Sequence, residues 1–286
     1  MTDAVGNLIV SAVPRVYGAS ELGVLSLTAP GDAHPRVEYV GGEIFIGLDA
    51  DGAAVTQGQA EDLARPFREV VADAVGSSAA QPSADGGVIV IDDESTASAL
   101  LLDPTAIDDS ALAGAPVVFV FSRSRVVIVG AEDEGAVARA LDLAEELFEA
   151  GGPLVSAHPI VRVDGAWTPF PWREALPALA LRFERVLRLF SVRAYEAQTV
   201  VLQRPDVHIA EAKIRVLETG VTTTFAAWPQ GTATLLPVVD NVILADPSGS
   251  ISVATMDQFL DAGGEAIVRT GLSPARYFVP GDAPRS

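Results

Sequence analysis

Three consecutive acidic residues follow a short apolar run and have the chemistry to bind a metal ion. Asp92, Asp93 and Glu94 come directly after the predicted strand at 88–91. Hard cations such as Mg²⁺ and Ca²⁺ prefer oxygen ligands, which carboxylates at a strand end supply. The segment lacks the calcium loop of an EF-hand, and a solvated turn after a strand would explain the same residues. Both interpretations stay open at the level of sequence.

A glycine-containing segment that follows two apolar runs occupies the place of a phosphate-binding turn. Such a turn requires closely spaced glycines, so that backbone N–H groups and a helix N-terminus can approach the phosphates. Between Gly130 and Gly135, however, lie Glu132, Asp133 and Glu134, whose charges would repel a phosphate. Acidic residues suit the positive end of a helix dipole, and Asp133 is a suitable N-cap. The segment therefore predicts a helix start rather than a nucleotide site.

Other residue patterns typical of catalysis are missing from the sequence. The three histidines, His34, His158 and His208, are far apart and show no metal-ligand spacing. The chain has no cysteine, no G-x-S-x-G segment and one lysine, Lys213, which does not belong to a phosphate-binding G-K-S/T motif. We accordingly nominate no catalytic residue and predict no cofactor.

A group of arginines stands out locally against the acidic composition of the chain. Arg182, Arg185 and Arg188 recur at every third position of a predicted amphipathic helix. They form either a docking face for an acidic partner or a set of ion pairs with the protein's own carboxylates. Glu184 and Arg188, four residues apart on one helix face, favour the second interpretation.

The apolar pattern predicts an α+β fold, with antiparallel sheets, helices packed on one face, and two or three strand–strand–helix modules. Continuous apolar runs at 117–121 and 125–129 predict a hairpin of buried strands, followed by a helix. The small and polar segment 76–87 predicts a long loop or a module boundary. We predict one α+β domain over 1–170 and a second over 171–286.

Composition restricts the classes of partner. With 38 acidic and 19 basic residues the formal charge is −19, which disfavours nucleic acid and is compatible with a basic partner. Although 49% of residues are hydrophobic, no apolar run has the length of a membrane helix. The N-terminal residues resemble no secretory signal. We expect a cytoplasmic protein with no membrane contact and a protein as its partner.

Several segments resemble a bacterial family known only as a domain of unknown function (number 1444). The resemblance spans roughly residues 88–244 and is carried by SRSRVVIVGAEDEGAVARALDLAEELF, GPLVSAHPIVRVDGAWTPF, YEAQTVVL and AAWPQGTATLLPVVDNVIL. It brings no established reaction with it. Within these segments Tyr195, Gln198 and Trp228 are the polar and aromatic residues that could line a pocket. They could equally be buried residues that satisfy backbone groups.

These observations favour a non-enzymatic protein that binds a macromolecular partner. One alternative is a hydrolase that uses carboxylates or a metal held by Asp92 and Asp93. A second is an acidic immunity-type protein that neutralises a basic toxin, which the charge of the chain permits.

Overall fold

A computed structural model describes residues 12–75, 85–103, 105, 107 and 109–282. It shows an α+β fold, as the sequence predicts. The chain divides into two compact units, Met1–Phe183 and Glu184–Ser286. The predicted boundary lies between residues 170 and 171, whereas this division falls inside a long helix. Of the predicted loop 76–87, residues 76–84 lie outside the described part of the chain.

The first unit contains two sheets and most of the helices. Its helices are α1 (Ala19–Thr28), α2 (Gln57–Glu61), α3 (Phe67–Val75), α4 (Glu94–Leu102), α5 (Glu134–Glu149), α6 (Trp172–Ala175) and the start of α7 (Ala180–Val201). Its strands are β1 (Val13–Gly18), β2 (Val37–Gly41), β3 (Ile44–Ala50), β4 (Ala53–Ala54), β5 (Val88–Ile91), β6 (Pro116–Val120), β7 (Val126–Gly130), β8 (Ile160–Val163) and β9 (Ala166–Pro169).

Both sheets of the first unit are antiparallel. One has the strand order β1-β3-β2, with β4 paired to β3, and the other has the order β5-β7-β6-β8-β9. The predicted hairpin is β6–β7, and every residue of β7 is buried, as expected for a strand covered on both faces. Apolar residues of both sheets, such as Ile46 and Ile128, share one core with α3 and α4. Trp167 packs against this core and donates its indole N–H to Leu101 O at 2.8 Å.

Local capping explains where several helices begin. Thr56 and Gln59 form the predicted capping box at the start of α2. The side chain of Asp133 accepts the N–H of Ala136 at 2.8 Å, which confirms it as the N-cap of α5. Asp93 caps α4 in the same way through the N–H of Thr96. The sequence interpretation treated the α4 segment as irregular, because its apolar residues occupy several faces of the helix.

The second unit contains the rest of α7, the helix α8 (Met256–Gly263) and two further sheets. The strands are β10 (His208–Ile209), β11 (Lys213–Val216), β12 (Thr222–Pro229), β13 (Thr234–Pro237), β14 (Asn241–Ala245), β15 (Ile251–Thr255), β16 (Val268–Arg269) and β17 (Arg276–Val279). The sheet orders are β10-β13-β17-β16 and β11-β12-β14-β15. Each sheet contains one parallel pair, β10–β13 and β12–β14, and its other pairs are antiparallel.

Among the described residues the predicted strand–strand–helix pattern occurs as β3–β4–α2, β6–β7–α5, β8–β9–α6 and β14–β15–α8. Strands β15, β16 and β17 were not predicted. Strands β15 and β16 are mostly exposed, and β17, which contains the buried Arg276, has only four residues. Within the described residues, no helix combines the length and the apolar character needed to cross a bilayer.

Candidate functional site

The three acids proposed as metal ligands have three separate structural roles. Asp92 pairs with Arg125, and Asp93 accepts both the N–H and the hydroxyl of Thr96, at 2.7 and 2.6 Å. Glu94 turns toward β1 and accepts the N–H of Val16 at 3.2 Å. No group of three or more His, Asp or Glu residues in the described part of the chain could hold a metal ion. The metal hypothesis thus loses its nominated ligands.

The acidic turn before α5 has the structural role that the sequence indicates. Besides the N-cap at Asp133, the turn is fixed by Glu132 N–H, which donates to Ala113 O at 2.9 Å. A side chain at Gly130 would collide with the backbone of Ala113. This glycine therefore permits a close approach of two protein segments.

The three arginines proposed as a docking face contact the protein itself. Arg182 pairs with Asp142, and Arg185 donates to Thr222 Oγ1 at 3.2 Å. Arg188 binds both carboxylate oxygens of Asp240, through Nε at 2.8 Å and Nη2 at 3.0 Å, and it also reaches Glu184 at 3.3 Å. Arg182 and Arg188 thus form internal ion pairs, as in the second sequence interpretation, whereas the hydrogen bond described for Arg185 goes to a hydroxyl.

Asp240 is the centre of a small polar network in the second unit. It accepts the N–H and the hydroxyl of Thr224, at 2.7 and 2.8 Å, and its own N–H donates to Thr224 Oγ1 at 2.9 Å. Partial burial by itself raises the pKa of Asp240, but the hydrogen bonds from Arg188 and Thr224 outweigh it and the net shift is downward. The network joins α7 to the start of β12.

Tyr195 and Gln198 do converge, but inside the core of the second unit. The Tyr195 hydroxyl donates to Ala275 O at 2.6 Å and accepts the N–H of Val238 at 3.1 Å. Gln198 Nε2 donates to Pro274 O at 2.8 Å. Trp228 is also buried, where its ring meets Phe259 edge-on at 5.4 Å. The polar atoms satisfy backbone groups, so these residues support the fold and line no open pocket.

The residue that organises this interior, Arg276, was not predicted from the sequence. Its side chain is fully buried, yet none of the acceptors that the structure describes for it is a carboxylate. Nε donates to Gln198 Oε1 at 2.6 Å, Nη1 to Ala210 O at 2.7 Å, and Nη2 to Thr199 Oγ1 at 2.7 Å. Burial lowers the pKa of Arg276 to about 10, so the guanidinium stays charged at neutral pH. The one sequence signal for this role is that Arg276 is a charged residue within an apolar strand.

A second group of ionisable side chains surrounds Tyr17 in the first unit. Arg15 pairs with Asp49, and Arg123 pairs with Glu21. Both guanidinium groups lie over the Tyr17 ring, at 5.5 and 5.7 Å from its centre. Burial raises the pKa of Tyr17, and its hydroxyl lies 3.3 Å from Asp49 Oδ1. These ion pairs and cation–π contacts thereby connect β1, α1, β3 and the β6–β7 turn.

Glu21 is the most perturbed carboxyl in this group. Burial raises its pKa to about 7, while Arg15 and the Gly18 backbone oppose the shift, and Glu94 and Asp49 add to it. A carboxyl with this pKa changes charge near neutrality, and such groups are candidates for functional sites. Here the observed partners are internal, so the direct expectation concerns the stability of the fold.

We expect the stability of the protein to depend on Glu21 between about pH 4.5 and 7. Because the folded pKa is raised, the folded state retains a proton that the unfolded state releases, and stability falls as pH rises through this window. Glu21→Gln removes the titrating carboxyl. The free energy of unfolding of the variant, relative to that of wild type, should therefore increase from pH 5 to pH 8. Urea unfolding at both pH values measures this difference, with the exposed Glu149→Gln as control. An equal difference at both pH values would contradict the expectation.

One face of the sheet β11-β12-β14-β15 carries apolar side chains without burying them. Helices α7 and α8 pack on the opposite face, against residues such as Trp228 and Leu244. The strand register places the other residues in rows, for example Ala227, Ile243 and Val253. We call this surface the open face, and it consists of Lys213, Arg215, Thr223, Phe225, Ala227, Asn241, Ile243, Ala245, Ile251 and Val253.

The open face has an apolar centre and a basic edge. Ile251 and Val253 are 70% and 64% exposed, and Phe225 and Ile243 are half-buried. Lys213 and Arg215, on the edge strand β11, are exposed, and Lys213 has Glu211 at 3.2 Å. Contiguous apolar groups beside polar ones on a surface are typical of a protein-binding site.

The two units differ strongly in charge. Residues 184–286 hold 9 basic and 11 acidic side chains, a formal charge of −2. Residues 1–183 hold the remaining 10 basic and 27 acidic ones, a charge of −17. The unit with the open face is therefore almost neutral, and the acidity of the chain belongs to the other unit.

Comparison with known proteins adds no relative. No family model, curated protein or solved structure matches the chain. The resemblance to the family of unknown function thus stays a prediction.

Proposed function

We propose that the protein acts without catalysis, by binding a protein partner on the open face of the second unit. The observation that carries this proposal is the apolar centre of that face, formed by Phe225, Ile243, Ile251 and Val253, beside exposed basic residues. Burial of such apolar area is the main driving force of protein association. Lys213 and Arg215 favour a partner whose apolar residues are flanked by carboxylates.

The basic edge also indicates how the complex forms. Charges at the rim of an interface steer encounter and weaken with salt, whereas the buried apolar centre supplies most of the affinity. Lys213 and Arg215 lie on the nearly neutral second unit, so their attraction for carboxylates acts locally at this edge. The charge of −19 opposes binding to nucleic acid. The proposal also includes a cytoplasmic location and membership of the family of unknown function.

Site-specific photocrosslinking tests the proposed surface. A photoreactive amino acid replaces Ile243 in the protein expressed in its native cells, and the crosslinked protein is identified, purified and titrated. We expect Arg215→Glu to weaken its binding at least tenfold and Arg269→Glu, a matched change on the other sheet, to leave it nearly unchanged. Higher salt should reduce the association rate.

Two results would overturn this proposal. One is a crosslinked protein whose affinity is equal for Arg215→Glu and wild type. The other is a purified chain that turns over a small-molecule substrate, which would favour the hydrolase alternative. The toxin-binding alternative stays a prediction that rests on the acidity of residues 1–183, and the genes adjacent to this one provide its test.

A further inference from the structure

The outer strand of the open face, β15, is an edge strand without the usual protection against pairing. Natural edge strands are commonly interrupted by proline, lysine or a bulge. The sequence of β15, Ile-Ser-Val-Ala-Thr, contains neither proline nor a charge, and its register with β14 is uninterrupted. Four of its five residues are exposed and Ala254 is half-buried. Among the described residues β15 pairs only with β14, and its other edge is therefore a template for a further strand.

The hydrogen bonds of β15 identify which backbone groups are available. Met256 N–H donates to Asp240 O and Asp246 N–H donates to Ser250 O, so both hydrogen-bonded pairs at the ends of the ladder are known. Bonded and non-bonded pairs alternate along an antiparallel ladder, so Ser252 and Ala254 also bond toward β14. The N–H and C=O groups of Ile251 and Val253 then point to the free edge. The N–H of Thr255 is already taken by Gln258 Oε1 at 3.0 Å.

We propose that a second copy of this chain pairs with β15 and forms a symmetric dimer. If Ile251 of one copy lies opposite Val253 of the other, two-fold symmetry places Val253 of the first copy opposite Ile251 of the second. The N–H and C=O groups of Ile251 and Val253 in both copies then form hydrogen bonds across the interface. The two β-branched side chains then form cross-strand pairs on the open face. Ser252 lies opposite Ser252 of the second copy on the two-fold axis.

Charge is compatible with this symmetric arrangement. The second unit has a formal charge of −2, so the strands that meet belong to the nearly neutral part of the chain. The paired edges contain no carboxylate, and the dimer joins two four-stranded sheets into one. The open face is thereby doubled without being covered, because edge pairing uses backbone groups and face binding uses side chains. The short contact predicts a weak dimer that dissociates on dilution.

The absence of cysteine from the natural chain allows a direct test of the register. Two residues that face each other as a non-hydrogen-bonded antiparallel pair, as the two Ser252 residues would, have the Cα separation that a disulfide requires. Ser252→Cys should therefore form a disulfide-linked dimer on mild oxidation. Ser250→Cys, exposed at the end of the same strand, should give at least tenfold less. Equal cross-linking at both positions would overturn the proposed pairing.

A second measurement tests the dimer without cross-linking. Val253→Pro removes an N–H that points to the free edge and leaves the bonds to β14 in place, so the variant should sediment as a monomer at concentrations where wild type dimerises. Val253→Thr keeps the N–H and the branched shape, and should still dimerise. An unchanged thermal midpoint verifies folding. A wild-type chain that stays monomeric at every concentration overturns this inference, and the partner titration with Arg215→Glu is unaffected by that result.

Discussion

Arg276→Met is expected to destabilise the second unit by about 2–5 kcal/mol, because it leaves buried acceptors without a charged donor. Gln198 Oε1 and Ala210 O each lose a short hydrogen bond from the guanidinium. Methionine fills a similar apolar volume but donates no hydrogen bond. Each buried acceptor left unpaired costs about 1–3 kcal/mol. The variant should consequently unfold at a clearly lower urea concentration.

The measurement has to report on the second unit alone. Trp228 lies in that unit, whereas Trp167 and Trp172 belong to the first, so a Trp167→Phe, Trp172→Phe background isolates the fluorescence of Trp228. Arg276→Lys keeps the charge but not the planar set of donors and should lose most of the stability as well. The exposed Arg269→Met serves as control and should change little. A stable Arg276→Met variant would show that the network contributes little.

Asp240→Ala is expected to destabilise the same unit by about 2–3 kcal/mol. The change removes the two-point ion pair with Arg188 and the acceptor for Thr224 N–H. Because Asp240 is partly exposed, water can replace some of these contacts, and the loss should be smaller than for a fully buried pair. Urea unfolding followed by Trp228 fluorescence again provides the measurement. Asp206→Ala, which removes the exposed pair with Arg204, should have little effect.

The contribution of the Asp240 charge should also disappear in acid. The pKa of Asp240 is below its ordinary value of 3.8, so the unfolded state takes up a proton first as pH falls. Stability from the charge is complete above that ordinary value and is lost as pH falls through the lowered pKa of the folded state. The difference between wild type and Asp240→Asn should therefore shrink below about pH 4. A constant difference down to pH 2 would contradict this assignment.

The sequence predicted features that depend on residues close together in the chain. The capping residues Thr56 and Asp133, the buried hairpin β6–β7 and the helix that follows it were all recognisable. Each is determined by turn chemistry or by the spacing of apolar residues within one segment. The α+β fold class follows from the same signals. The helix α4 was missed because its apolar residues do not lie on one face.

The interior of the second unit depends on contacts between distant segments. Tyr195 and Gln198 were nominated together as pocket residues, but their partners are Ala275, directly before β17, and Arg276, within it. Local patterns did not reveal this strand. Arg188 illustrates the same limit, since Asp240 is 52 residues away. The acid Asp93 had two compatible roles, and only the position of Thr96 decides between them. The open face likewise follows from strand register, which residue composition does not specify.

The buried position of Arg276 has a consequence for the order in which the second unit is completed. The oxygens that solvate its charge belong to α7, to the segment before β11 and to β13, whereas the arginine belongs to the final strand. During synthesis these oxygens have no arginine donor until residue 276 has left the ribosome. Closure of this unit should thus wait until β17 is available. A nascent chain halted before β17 should remain sensitive to protease in those residues of the second unit that have left the ribosome.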